Sequence, residues 1–219
     1  MAAHPFHPRS PLCESHAEEM ASMWTHLVGV LLAIAALCWM LLSCEPRVLH
    51  QVSAAVFGTS LVLLYLASSL YHACRSPRVK SLFQFFDHAC IYLLIAGSYT
   101  PLTLVTLKGA WGWSIFGVIW FLAIGGILLK TFIKGRKEAA WSTALYLAMG
   151  WIIVVAAHPL IQSLPPAGLA WLVAGGIFYS LGIIFFVWTR LPFHHAVWHG
   201  FVMLGSCCHV IATSLHILS

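Results

Sequence analysis

Residues 111–129 read WGWSIFGVIWFLAIGGILL, nineteen consecutive positions without an ionisable side chain. A helix rises 1.5 Å per residue and the hydrocarbon core of a bilayer is about 30 Å thick, so roughly 20 apolar residues are enough to cross it. This run, closed by Lys130, has the length and composition of a membrane span. Similar runs lie on both sides of it. The pattern predicts seven helices over 23–43, 50–73, 83–106, 111–132, 141–160, 167–188 and 194–217. Between them stand Cys44-Glu45-Pro46-Arg47, Arg75-Ser76-Pro77-Arg78, Lys108-Gly109, Lys134-Gly135-Arg136-Lys137, Pro165-Pro166 and Arg190-Leu191-Pro192, breaks that use Pro or Gly and, except Pro165-Pro166, charge.

The whole chain agrees with that reading. Of 219 residues, 61% are hydrophobic and only 8% are charged, whereas an average soluble domain carries about a quarter charged residues. Seven spans with short loops leave no room for a separate aqueous domain. The composition also excludes intrinsic disorder, a disulfide-stapled secreted module and a DNA-binding domain. The expected fold is an all-α integral membrane protein, a seven-transmembrane helix bundle over 23–217 preceded by a short tail at 1–22. That tail lacks the basic start and apolar run of a cleavable signal peptide, so the first span is expected to be retained.

Loop charges set the expected orientation. With the N-terminus in the cytoplasm, Arg9, Arg75, Arg78, Lys80, Lys130, Lys134, Arg136, Lys137 and Arg190 fall inside and only Arg47 and Lys108 outside. Such a bias follows the positive-inside rule and puts the C-terminus outside, as an odd number of spans requires. A net charge of +5 therefore reads as membrane orientation, not as nucleic-acid binding. The seven cysteines include no C-x-x-C pair and read as small apolar residues. The adjacent Cys207 and Cys208 are expected to pack. Gly125-Gly126 and Gly175-Gly176 allow close helix approach, within the bundle or between copies.

Against this apolar background a few polar residues stand out. Five of the six acidic residues fall in the tail or loops, and Asp87 alone falls within a span. An ionisable group there is costly and points to function if it has a partner; otherwise it is an interfacial Asp stabilised by its helix dipole. Histidine supplies the partner. His72 closes the second helix, while His195 and His199 open the seventh, all at the cytoplasmic depth of Asp87. The spacing His195-x-x-x-His199 places both rings on one helix face, where two nitrogens can reach one metal ion.

Three imidazoles with an open fourth position suit catalytic Zn²⁺. Direct ligation by Asp87 would close the site and favour a structural role, whereas contact through water would make Asp87 a base; spacing does not choose between them. Ser68, one turn from His72, either supports Asp87 or an oxyanion or bonds back to its own helix. Tyr71 is expected to be an interfacial aromatic. His26 opens the first helix and His88 the third. His209 lies too deep for the same ion and is expected to pair with a neighbouring helix, and His158 and His216 fall near the outer end.

Glu18-Glu19, Thr25-His26 and Gly29, Ser68-Ser69-Leu70-Tyr71-His72, Asp87, Gly97-Ser98-Tyr99-Thr100-Pro101 and His195-Ala196-Val197-Trp198-His199 with His209 together resemble the progestin and adipoQ receptor (PAQR) family. The resemblance is to its bacterial haemolysin III, or TrhA-type, branch and runs from about Glu18 to the C-terminus. Ser22 departs from the asparagine usual in that branch. The resemblance implies a seven-helix bundle with a cytoplasmic N-terminus, in a bacterial plasma membrane, with zinc on His72, His195 and His199. It also implies that Asp87 acts through an intervening water and that Ser68 assists. Receptor relatives and the alkaline ceramidases are associated with ceramide hydrolysis. The expected function is thus a zinc-dependent intramembrane hydrolase of a lipid amide or ester, with membrane lipids as its partners. The alternatives are a cytolytic or pore-forming protein and a membrane-state sensor with structural zinc.

Overall fold

Ser15 opens the first helix with a capping box. Its hydroxyl accepts the Glu18 backbone N–H at 3.2 Å, and its own N–H is taken by the Glu18 carboxylate at 3.1 Å, so two otherwise unpaired terminal donors are satisfied. In the computed structural model, which describes residues 15–132 and 136–219, seven helices have the length and composition of spans. They are His16–Ser43, Val48–Ala73, Pro77–Leu107, Gly109–Phe132, Ala140–Ser163, Pro166–Val187 and His194–His216, here the first to seventh spans. No β-strand occurs among the described residues. The protein is an integral, multi-pass membrane protein. Residues 1–14, with His4, His7, Arg9 and Cys13, and the loop residues Lys134 and Gly135 lie outside the described residues.

Two spans begin earlier than their apolar runs suggest. The first starts at His16 instead of 23 because the polar turn at Ser15–Glu18 is a cap. The third starts at Pro77 instead of 83, since a proline near the helix start costs no hydrogen bond. Both extensions matter, because they turn Glu18, Glu19 and Lys80 from tail and loop residues into helix residues.

Successive spans pack as neighbours, and the seventh closes against the first. The second and third spans are the most enclosed. In their most apolar stretches 61% and 67% of residues are buried, against 17–28% in the first, fourth, fifth and sixth. The side chains of these two spans therefore meet protein on several sides, while the outer spans turn most of theirs to lipid.

In each Gly-Gly pair one glycine permits close approach. A Cβ on Gly126 would lie 2.4 Å from the Tyr92 ring, and one on Gly175 would lie 2.4 Å from His209. Gly125 has nothing within 4 Å, so one glycine of each pair serves contacts within the bundle.

The fifth span is not continuous α-helix. It tightens to a 3₁₀ turn over Ile152–Ala156, just ahead of Pro159, which has no N–H to give. Tyr99 of the third span stitches this turn: its hydroxyl donates to the Gly150 carbonyl at 2.9 Å and accepts the Ile153 N–H at 3.0 Å. The third span itself widens over Leu102–Leu107 after Pro101 and ends at Lys108, whose φ is 51°.

Candidate metal centre

The i, i+4 pair on the seventh span does what its spacing predicts. The His195 and His199 rings lie 4.5 Å apart, centroid to centroid, and His72 reaches them from the second span at 5.0 and 5.2 Å. One nitrogen from each of the three rings lies within 4.8 Å of the other two, and all three residues are buried. Three imidazoles this close, away from water, form a donor set for a borderline ion such as Zn²⁺.

The hydrogen bonds around the rings fit that role. His199 donates Nδ1–H to the Ser22 carbonyl at 3.2 Å, so its Nε2 carries the lone pair. That Nε2 is buried without a hydrogen-bond partner, and so are both nitrogens of His195. His72 donates Nδ1–H to Glu19 Oε2 at 2.8 Å, and Lys80 grips the other oxygen of the same carboxylate. Fixing one ring nitrogen on a carboxylate or carbonyl sets the tautomer and orients the other nitrogen toward a metal.

Both acceptors come from the first span. Glu18 adds a further link from the same turn, taking the Phe193 N–H at 2.8 Å. Phe193 caps the seventh span in the left-handed region, at φ 57°, where few residues other than glycine rest. The first turn of the first span therefore fastens both helices that carry the histidines.

Asp87 is 2% exposed and Ser68 fully buried. Ser68 lies beside the Asp87 carboxylate, with His72 in electrostatic range. The Ser68 hydroxyl completes no well-formed hydrogen bond, and Asp87 Oδ2 is likewise buried without one. The acid and the hydroxyl thus lie together, within electrostatic range of His72.

Other histidines sort differently. His88 meets Lys130 at 3.0 Å, and His194 contacts the Phe185 carbonyl at 3.0 Å, so neither joins the cluster. His209 stacks on Tyr179 of the sixth span, the neighbour-helix pairing expected from its depth. Tyr71 is not interfacial. It is 1% exposed and packs edge-on to His72, with Lys80 over its ring.

Sequence reasoning gave no role to Glu19, to the Ser22 carbonyl or to His26, whose ring stacks on His199 at 3.4 Å and is 1% exposed. Positions 19, 22 and 26 follow i, i+3, i+7 and so share one helix face. That periodicity is the available signal, and it becomes continuous once the helix begins at His16 and not at 23.

Comparison with known proteins then matches residues 15–210 to the family described as "Haemolysin-III related". The chain is 45% identical over 203 residues to "Hemolysin-3" of Bacillus cereus, covering 92% of each chain. It is 28% identical over 208 residues to the human "Monocyte to macrophage differentiation factor", covering 92% of this chain and 84% of that one. It is also 25% identical over 231 residues to "Progestin and adipoQ receptor-like protein 1" of Caenorhabditis elegans, covering 90% of this chain and 50% of that one.

Proposed function

Because the chain belongs to the haemolysin-III-related family, we propose that His72, His195 and His199 hold a zinc ion and that the site hydrolyses an amide or ester bond of a membrane lipid. The observation that carries this reading is the convergence of three buried imidazoles, from two helices, beside a buried carboxylate. The bound metal supplies Lewis acidity toward the acyl carbonyl. Direct ligation by Asp87 is not needed, since the three histidines already form a donor set with room for a fourth group.

The residues of the chain divide the remaining work. Glu19 and the Ser22 carbonyl hold His72 and His199 in the tautomers that offer Nε2. Asp87 Oδ2 accepts a proton from the attacking water, and Ser68 steadies the carboxylate. Water adds across the acyl C–N or C–O bond to give a fatty acid and an amine or alcohol, and the proton held on Asp87 passes to the leaving group. Burial of the site limits the water that reaches it, which strengthens each of these electrostatic contacts.

The proposed setting is a bacterial plasma membrane with the site near the cytoplasmic surface. The basic residues concentrated in the loops at that end support this orientation, and the Bacillus relative supports the membrane. A pore gains less support, since the most enclosed spans, the second and third, fill the interior.

The test is metal analysis of the purified protein joined to lipid analysis of membranes carrying wild-type or Asp87→Ala protein. The reading requires zinc in both proteins and a depleted amide- or ester-linked lipid with wild-type protein alone. Zinc retained with identical lipid profiles would reduce the site to a structural or sensing one, and lysis of vesicles by a zinc-free variant would favour the pore.

A further inference from the structure

At the end of the bundle opposite the histidines, a cavity of about 460 Å³ opens between the second, third and fourth spans, lined by Arg47, Val48, His50, Thr103, Lys108 and Trp113 among others. Its size falls within the range of small-ligand sites. Arg47 and Lys108 are the basic residues of the loops at this end, and both line this cavity. Two helices also begin here. The second span starts at Val48 with no side-chain cap on its first N–H groups, and the fourth starts at Gly109. The N-terminus of a helix carries partial positive charge and free donors, which suit an anion.

His50, in the first turn of the second span, lines the same cavity. It is 7% exposed, and its Nδ1 is buried without a hydrogen-bond partner. Its Nε2 faces Glu45 at 3.9 Å, and Glu45 in turn pairs with Arg47 at 2.7 Å. Glu45 is the acidic residue of the cluster, and it offsets one of the two cations. Lys108 has no acidic partner within 4.0 Å among the described residues, and it lies within electrostatic reach of His50. One cation without an acidic partner, a lining imidazole and two helix starts meet at one cavity.

We propose that this cavity binds a phosphate group, presented by the headgroup of an anionic phospholipid. The position favours a lipid, because the cavity sits at the ends of membrane spans and Trp113 and Val48 are exposed beside it, 59% and 74%, as expected of residues at the headgroup level. The shape of the site gives each part a task. Lys108 supplies the unpaired positive charge for the phosphate, Arg47 and the helix starts supply N–H donors, His50 lines the wall, and Trp113 lies along the glycerol and upper acyl region.

The experiment is native mass spectrometry of the intact detergent-solubilised protein, titrated with phosphatidylglycerol, phosphatidylcholine or inorganic phosphate. Wild-type protein should retain phosphatidylglycerol in preference to phosphatidylcholine. Lys108→Gln should weaken it about five-fold, the effect of one cation near a headgroup, and Arg47→Gln, whose charge Glu45 offsets, by less, while Lys108→Arg restores it and Arg75→Gln, at the other end, leaves it unchanged. Inorganic phosphate binding that is lost in Lys108→Gln, with no lipid preference, would uphold the anion site and assign it a soluble ligand. Equal retention of the two lipids with no phosphate binding, or a preference indifferent to Lys108 and Arg47, would overturn the proposal.

Discussion

Glu19 is where the proposed metal centre is most exposed to a decisive test, because it touches the site only through other residues. Its carboxylate accepts Nδ1–H of His72 at 2.8 Å with one oxygen and is held by Lys80 with the other, and its side chain is only 17% exposed. Glu19→Gln keeps an amide oxygen for His72 but drops the negative charge that strengthens the bond and makes the ring a better donor to a metal. Glu19→Ala removes the acceptor altogether. Outer partners of metal-binding histidines are worth 10–100-fold in affinity. The expected loss is therefore about 10-fold for Glu19→Gln and close to 100-fold, or about 2.7 kcal/mol, for Glu19→Ala. Zinc affinity is read by competition with a chromophoric chelator on the monodisperse protein. Lys80→Met separates the two halves of the contact, since it leaves the His72 bond in place and should cost less than Glu19→Gln. A Glu19→Ala protein that melts like wild type without metal, yet binds zinc within two-fold of it, would refute the idea that the first span orients His72.

Three further substitution sets probe the site and the bundle. His72→Ala, His195→Ala and His199→Ala should each reduce bound zinc from about one per chain to near zero, whereas His194→Ala, whose ring is engaged with the Phe185 carbonyl, should retain it by elemental analysis. Gly175→Ala puts a methyl group 2.4 Å from His209 and 3.2 Å from the Gly205 carbonyl and should destabilise the protein by roughly 1–3 kcal/mol, while Gly176→Ala, 3.8 Å from Trp151, should not; thermal melts in detergent compare them. Tyr99→Phe strands the Ile153 N–H and the Gly150 carbonyl in a span where lipid offers no replacement. It should cost roughly 1–3 kcal/mol per group in unfolding titrations with a denaturing detergent.

The spans were legible because apolar length is a local property, and each break was marked by proline, glycine or charge. The His195/His199 pair was legible for a similar reason, since i, i+4 spacing fixes a shared face. His72, Asp87 and Ser68 needed depth matching and a family resemblance, because nothing local says which helices are neighbours. What could not be read depends on backbone or on the surroundings of a whole helix. The acceptor for His199 is the carbonyl of Ser22, and any residue at that position has one. Ser22, standing where asparagine is usual in the branch the sequence resembles, therefore keeps this bond. Tyr71 was misplaced for the second reason: adjacent residues on a helix diverge by about 100°, yet both Tyr71 and His72 are buried because the second span meets protein on most sides.

The distribution of satisfied and unsatisfied polar groups separates functional polarity from ordinary packing in this bundle. Midway through it, Tyr65 donates to Ser206 at 2.7 Å and Tyr179 meets the same hydroxyl at 2.9 Å, while Ser69, Thr100 and Thr103 return their hydroxyls to carbonyls of their own helices. The fold therefore satisfies buried polar groups where only structure is at stake. Unmade hydrogen bonds, each costing roughly 1–3 kcal/mol when buried, gather chiefly at the two ends. One group comprises His26, Ser68, Asp87, His195 and His199; the other comprises His50 and Ser53. A bundle that merely filled the membrane would have no use for these costs, and apolar residues of similar size would remove them. Their concentration beside three convergent imidazoles at one end, with His50 at a basic cavity at the other, accords with the two proposed binding sites.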